Sequence, residues 1–215
     1  MKTALLCMTP VLLLACAPVA GRDYSKLVAA NPRSILVVPV VNKSVEIDAP
    51  DYFLSTLPVP LAERGYYVFP VNLVKRVLED DGLSDASMVH GADPMRLCSM
   101  FGADAVLYAT IEQWTAKYLL LSTITTVEFS YRLVDGKTGA QLWDCHQTMN
   151  YDPSAGQSLL VAAILAAVQK AKPDYLPLAR RANLEALQYP GPGLPAGPYR
   201  PEHSTDAEQA TSHPR

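Results

Sequence analysis

KYLLLSTITTVEFSYRLV, residues 117–134, is the stretch that decides the fold of this chain. Its odd positions are mostly apolar and its even positions are mostly polar, as Val127-Glu128-Phe129-Ser130 illustrates. This period of two is typical of a β-strand with one buried and one solvated face. The glycine-bearing turn DGKTG follows at residues 135–139, and residues 140–149 return as an antiparallel partner. We therefore predict a long β-hairpin.

Upstream of the hairpin, strand-like and helix-like segments alternate. Short apolar runs predict strands at residues 34–41, 66–69 and 105–111, and helical spacing predicts helices at about residues 50–65, 72–80 and 93–101. This order favours right-handed crossovers and parallel pairing. Two further helices are predicted after the hairpin, one between Gly156 and Pro173 and one at about residues 174–187. We predict an α+β fold with a mixed sheet of about five strands, a long antiparallel hairpin and flanking helices.

Prolines mark the interruptions that we expect in these elements. Pro39 requires an edge position or a missing ladder hydrogen bond in the first strand, because it has no N–H group. Pro58 and Pro60 must break or kink the first helix for the same reason.

The amino-terminal stretch MKTALLCMTPVLLLAC, residues 1–16, has the order of a secretion signal. Lys2 supplies a positive region, an apolar segment follows, and Ala15 is the small residue that cleavage requires. The last four residues, LLAC, resemble the lipobox of bacterial lipoproteins. This resemblance implies cleavage after Ala15 and lipidation of Cys16, whose acyl chains would anchor the protein without a spanning helix. A plain signal peptide or a buried amino-terminal helix is the alternative.

Ala17 would be the second residue of the mature chain. In the sorting rule for such lipoproteins, an aspartate at that position keeps the protein from reaching the outer membrane. This chain has no aspartate there. The resemblance therefore implies an outer-membrane location with the domain facing the periplasm.

Composition divides the chain into four parts. We predict a signal peptide at residues 1–15, a lipidated tether at residues 16–33, one α/β domain at residues 34–187 and a disordered tail at residues 188–215. The tail is rich in Pro and Gly, and such a composition buries too little apolar area to offset the entropy of ordering. The apolar run at residues 159–168 is about half as long as a membrane span requires.

The charge balance and the scattered histidines exclude several function classes. The chain has 18 Lys and Arg against 21 Asp and Glu, and it lacks the clustered basic face that nucleic-acid binding needs. Neither a metal nor a cofactor is predicted, because the histidines have no ligand spacing. His146 follows Cys145, but strand neighbours point to opposite faces and cannot act as a nucleophile and its base. We therefore predict no catalytic residues and no enzyme.

Cys98 and Cys145 are candidates for a disulfide. An oxidising periplasm would allow the two thiols to pair if they meet. The alternative is that both are small buried hydrophobic residues.

The apolar segment Tyr118, Leu119, Leu120 and Leu121 is a candidate partner-binding site. It is apolar on both faces at the start of the predicted long strand, and a hairpin with two apolar faces usually has a partner for one of them. Coverage by the last helices is the alternative.

The hairpin YRLVDGKTGAQLW, residues 131–143, is similar to that of periplasmic proteins built like the TolB amino-terminal domain and the curli-secretion lipoprotein CsgG. Together with the lipobox, PDYF at residues 50–53, LAERGYYVFP at residues 61–70 and ARRAN at residues 179–183, it makes the chain resemble one family over about residues 1–187. That family comprises bacterial outer-membrane lipoproteins of unknown function. The resemblance implies a mixed α/β domain without assigned catalytic residues.

The resemblance also implies an accessory role in a CsgG-like envelope secretion or surface-display system. We therefore predict a lipid-anchored, non-catalytic binding or assembly module. Its expected partners are the membrane, envelope proteins such as a CsgG-like lipoprotein, and further copies of itself. An envelope hydrolase acting on peptidoglycan and a structural lipoprotein remain the alternatives.

Overall fold

The structure is a computed structural model that describes residues 23–118, 123–152, 155–156, 158, 161, 164–165, 167–168, 175–188 and 193–206. Its helices are α1 (Ser25–Ala30), α2 (Ala49–Thr56), α3 (Pro58–Glu63), α4 (Val71–Asp80), α5 (Ala86–Gly91), α6 (Pro94–Phe101) and α7 (Leu176–Gln188). Its strands are β1 (Ser34–Val37), β2 (Val41–Asn42), β3 (Tyr67–Val68), β4 (Ala105–Tyr118), β5 (Thr123–Asp135) and β6 (Gln141–Tyr151).

The strands form one mixed sheet in the order β3-β1-β4-β5-β6, and β2 pairs with β4 beside that path. β1 is parallel to both β3 and β4, because helices connect these strands along the chain. β4, β5 and β6 pair antiparallel in sequence order. The predicted α+β class is confirmed, with six strands in the described chain.

The strand predicted at residues 34–41 is divided at its proline, as expected. β1 ends before Val38, whose N–H still donates to the carbonyl oxygen of Leu107 at 3.3 Å. Pro39 lacks an N–H, and pairing with β4 resumes only at Val41.

The long strand predicted at residues 117–134 is wrong in its first part. Lys117 and Tyr118 end β4, and β5 begins at Thr123, so two antiparallel strands share that stretch. From Thr125 to Leu133 the alternation is confirmed, because the odd side chains are buried and the even ones are at least partly exposed. Alternation alone could not reveal the reversal, since strands on both sides of a turn show the same period.

The local signals for helix ends are confirmed, and one helix was missed. α2 and α3 are separated at Leu57, one residue before Pro58. Asp93 Oδ1 accepts a hydrogen bond from Met95 N at 3.0 Å and caps α6. Asp85 caps the unpredicted α5 in the same way, within a segment whose Gly, Ser and Asp content indicated a loop.

Two hydrophobic clusters cover the two faces of the sheet. Ile35 and Val37 belong to the first cluster, and Leu36 and Val38 belong to the second, as the alternation of strand side chains requires. α2, α3 and α7 supply buried residues to the first cluster, and α4, α5 and α6 supply them to the second.

The helix predicted between Gly156 and Pro173 is described only in part. Residues 161, 164–165 and 167–168 are helical, whereas Leu160 and Ala171 lie outside the described residues. Within the described part of the chain, every helix is too short or too polar to cross a membrane.

Residues 193–206, which we call the C-terminal strap, pack against the domain. Leu194 is fully buried in the first cluster. Gly197 N donates to the carbonyl oxygen of Arg64 at 2.6 Å, and a Cβ on Gly197 would collide with the carbonyl oxygen of Gly65. The strap is packed, whereas we predicted disorder for that stretch. It is ordered because backbone groups of a distant turn form hydrogen bonds with backbone groups of the strap.

Candidate functional site

A polar groove of about 400 Å³ lies on the sheet where the second hydrophobic cluster ends. Side chains of β4, β5, β6 and α5 line it, namely His90, Tyr108, Ser130, Arg132, Asp144 and His146. Its size falls within the range of about 300–1,000 Å³ that is typical of ligand sites.

The register of three strands places these side chains in rows. Tyr108 pairs with Arg132, and Arg132 pairs with Asp144 on the next strand. Ser130 pairs with His146 in the adjacent row on the same face. Directly opposed residues of paired strands have neighbouring Cβ atoms, so each row brings its polar groups together.

Arg132 lies over the ring of Tyr108, with the guanidinium carbon 4.7 Å from the ring centroid. Such cation–π contact is attractive and orients the planar guanidinium. Burial raises the pKa of Tyr108 to about 12, so its hydroxyl stays protonated at neutral pH. Among the described residues, no carboxylate lies within the 4.0 Å ion-pair distance of Arg132.

The nearby glutamates, in contrast, are paired. Glu112 accepts hydrogen bonds from Lys43 Nζ and from Ser130 Oγ, both at 2.8 Å. The Lys43 contact is the main reason that the pKa of Glu112 lies below its ordinary value. His146 Nε2 lies 3.0 Å from Glu128 Oε1.

His90 forms one wall of the groove. Its Nε2 lies 3.0 Å from the carbonyl oxygen of Pro39, and a carbonyl can only accept, so Nε2 carries the proton. Burial lowers the pKa of His90, and the charge of Arg132 adds to that effect. The ring is therefore neutral at neutral pH, and its Nδ1 is a hydrogen-bond acceptor.

This arrangement suits binding better than acyl transfer. Ser130 and His146 are row partners, but the Ser130 hydroxyl donates to Glu112 rather than to an imidazole. The pKa of the Glu112 carboxylate is lowered, so it is a weak base for activating a nucleophile. The groove instead offers a guanidinium, a neutral imidazole and a carboxylate for recognition.

Cys98 and Cys145, the candidates for a disulfide, are both buried and are not bonded to each other. Cys98 belongs to the second cluster and Cys145 to the first, so the sheet separates the two thiols. The alternative, that both are small buried hydrophobic residues, describes them.

The two other predicted sites lie mostly outside the described residues. Cys16 lies there, and so do Leu119, Leu120 and Leu121. The backbone of Tyr118 ends β4 opposite Thr123. Lipidation and partner contact at these positions remain predictions.

Sequence reasoning identified the exposed face of β5 but not the groove. The alternation at residues 125–133 placed Ser130 and Arg132 on a solvated face. The rows with Tyr108 and Asp144 depend on register, which no local pattern specified. His90 carried no signal, because its helix was predicted as a loop.

Comparison with known proteins gives consistent matches. The sequence model of a family described as "Putative lipoprotein GNA1162-like" matches residues 22–187. The Neisseria meningitidis serogroup B protein "Putative lipoprotein NMB1124/NMB1162" is 35% identical over 171 residues, covering 78% of this chain and 80% of that protein.

One solved structure of a family member supports this match. The crystal structure of lipoprotein GNA1162 from Neisseria meningitidis has a TM-score of 0.55 at 35% identity, covering 65% of this chain and 97% of that chain. The PelC dodecamer from Paraburkholderia phytofirmans has a TM-score of 0.41 at 20% identity, covering 65% and 86%, and so distant a likeness carries no argument about function. The family match spans most of the chain, and the relative at 35% identity covers more than two thirds of it, so this chain belongs to the GNA1162-like family.

Proposed function

We propose that this chain is a lipoprotein of the bacterial outer membrane that acts as a non-catalytic binding or assembly module in the periplasm. The observation that carries the binding role is Arg132, which is held over Tyr108 without an ion pair among the described residues. The neighbouring glutamates of the same face are paired, whereas the guanidinium has no ion-pair partner among the described residues.

The membrane anchor in this proposal is Cys16. The leader at residues 1–15 and the resemblance of LLAC to a lipobox support it, and membership of a family described as lipoproteins agrees with it. Two acyl signals hold a soluble domain on a bilayer stably, whereas a single chain does so only marginally.

The partner in this proposal is an envelope protein, such as a CsgG-like lipoprotein of a secretion or surface-display system. The resemblance of the hairpin at residues 131–143 supports that class of partner. The segment Tyr118-Leu119-Leu120-Leu121 remains a proposed second contact, either with this partner or with another copy of the chain.

Metabolic labelling tests the anchor. Cells that express the full chain are fed radioactive palmitate, and their membranes are separated on a density gradient. We expect label on the wild type and on Cys98→Ala in the outer-membrane fraction, and no label on Cys16→Ala. Label on Cys16→Ala, or wild-type protein in the inner membrane, would contradict the anchor or its location.

Site-specific photo-crosslinking tests the binding role. A photo-reactive residue replaces Gln141, which is exposed at the groove, and in a matched control it replaces Arg96, which is exposed on α6. We expect one envelope protein to be captured from position 141 only, and Arg132→Gln to abolish this adduct. Equal capture from both positions would exclude the groove as the binding surface. An adduct that still forms in the Arg132→Gln variant would exclude it as well.

A further inference from the structure

Little chain separates the proposed lipid anchor from the folded domain. α1 lies within the stretch predicted as a tether, and its Leu27 is buried in the first hydrophobic cluster. Asp23, the first described residue, follows Cys16 by only seven positions. Even a fully extended chain of that length spans only about 25 Å. An anchor at Cys16 therefore holds the start of the domain close to the bilayer.

The chain enters the domain at one end of the sheet. The Tyr24 hydroxyl donates to the carbonyl oxygen of Gly193, the first residue of the strap. Further along the strap, Tyr199 N donates to the carbonyl oxygen of Gly65 at 3.1 Å. Two residues after Gly65, Tyr67 begins β3, which is parallel to β1. The entry of the chain, the strap and the starts of these two strands thus share one end of the domain, which we call the strap end.

The strap end carries two exposed aromatic side chains. Among the Tyr, Phe and Trp side chains that the structure describes, only Tyr67 and Tyr199 are mostly exposed, at 52% and 65%. Tyrosine combines an apolar ring with a hydroxyl that prefers water, and it is enriched where a membrane meets water. Two such rings at the end nearest the anchor favour a lipid surface as their partner.

The length of the sheet limits how the anchored domain can be oriented. β4 runs away from the strap end for 14 residues and is therefore about 45 Å long. If the far end of β4 lay on the bilayer, Asp23 would be farther from the lipid than the chain from Cys16 reaches. Contact through the strap end satisfies that limit, because Asp23 then lies beside the lipid.

The charges at the strap end do not select an anionic lipid. Exposed residues of both signs occur there, including Lys26, Arg33, Arg200, Asp23, Glu63 and Glu202. Arg200 already pairs with Glu202 at 3.0 Å. Because neither sign dominates, the contact depends on the aromatic rings and should change little with salt concentration.

We propose that the strap end lies on the lipid surface, with the rings of Tyr67 and Tyr199 at the level of the headgroups. This inference rests on the proposed function, since the limit on reach begins at an anchor on Cys16. It adds an orientation to that function. The far ends of β4 and β5 are then directed away from the membrane, where a protein partner can reach them.

The test uses the full lipidated chain in vesicles of phosphatidylethanolamine and phosphatidylglycerol. Tyr199→Trp places a fluorescent reporter at the strap end, and Thr148→Trp places one at an exposed position far along β6 as the matched control. Trp114 and Trp143 are buried, so the wild type gives the background. Lipids that are brominated near the headgroup end of their acyl chains quench only tryptophans close to them. We expect the tryptophan at position 199 to lose most of its intensity and the one at position 148 to lose none.

Further variants test the pair of rings. Tyr67→Trp should be quenched as Tyr199→Trp is. Adding Tyr199→Ser to Tyr67→Trp removes the other ring and should reduce that quenching, whereas adding Thr148→Ser should leave it unchanged. Raising the salt concentration should not restore the intensity. Both tyrosines are exposed, so these variants should retain the wild-type melting temperature.

The outcomes separate this inference from the proposed anchor. Equal quenching at positions 199 and 148, or no quenching at position 199, would overturn the oriented contact. An emission shift at position 199 that depends on protein concentration but not on bromine would assign the rings to a second copy and overturn it as well. If palmitate labels Cys16 while position 199 is not quenched, the anchor stands without the contact. If Cys16 is not labelled, both proposals fail.

Discussion

The hydroxyl of Tyr131 donates a hydrogen bond to Asn183 Oδ1 at 2.6 Å inside the first hydrophobic cluster. Asn183 is fully buried, and its Nδ2 donates to the carbonyl oxygen of Phe53 at 3.1 Å and to Thr56 Oγ1 at 2.8 Å. One amide thus joins β5, α2 and α7. All polar atoms of this side chain are satisfied, which is the condition under which a buried amide stabilises a core.

Asn183→Leu should destabilise the domain by about 2–4 kcal/mol, because it leaves the Tyr131 hydroxyl without a partner in the core. Urea unfolding followed by circular dichroism measures the change in the free energy of unfolding. Arg180→Ala, an exposed position on the same helix, is the control and should stay within about 0.5 kcal/mol of the wild type. A loss for Asn183→Leu no larger than that of the control would show that the network does not stabilise the fold.

Gly197→Ala should release the C-terminal strap, since its Cβ would collide with the carbonyl oxygen of Gly65. Limited proteolysis with mass spectrometry should show cleavage within residues 193–206 at protease concentrations that leave the wild type intact. Gly91→Ala is the matched control, because a Cβ there meets open space. Equal protection of Gly197→Ala and the wild type would contradict the close packing of the strap.

The stability of the domain should fall as the pH drops below 6.5, in part through His90. Burial keeps the pKa of this imidazole below 6.5 in the folded state, so the unfolded chain takes up the proton first. Its contribution is complete above pH 6.5 and is lost as the pH falls through the lowered folded pKa.

His90→Gln should therefore show a smaller decrease in melting temperature between about pH 7 and about pH 5 than the wild type does. If the melting temperature of His90→Gln depends on pH as that of the wild type does, other groups cause the loss of stability at low pH.

Both domain cysteines should resist alkylation in the folded protein. They are buried, and burial raises the pKa of the Cys98 thiol to about 11, which leaves very little thiolate at neutral pH. Iodoacetamide should modify both only after unfolding without reductant, as intact-mass spectrometry would show. Ser99→Cys places a thiol on an exposed position of the same helix and should react in the folded state. If the two thiols react only after reduction, the protein would contain the disulfide after all.

Local signals were sufficient for much of the fold. The interruption at Pro39, the cap at Asp93 and the alternation at residues 125–133 depend on groups within a few residues, so the sequence predicts them. The reversal between Tyr118 and Thr123 lacked such a signal, because the alternation continued through it.

The strap and the groove depend on contacts between distant parts of the chain. Gly197 meets Arg64 across more than a hundred residues, and the composition around Gly197 indicated only an unfolded tail. Arg132 was predicted to be solvated, but its neighbours follow from a register that three strands establish together. Pairings at this range are decided by the packed domain and not by propensity.

The hydroxyl of Tyr24 donates to the carbonyl oxygen of Gly193 at 3.2 Å, so the start of the domain touches the strap. If Cys16 holds the chain on a membrane, as we propose, a pull ahead of Tyr24 has two routes into the domain. One runs through α1 into β1, and the other crosses the strap to the turn at Arg64, just before β3. β1 and β3 are neighbours at one margin of the sheet, so both routes reach the sheet at the margin opposite β6.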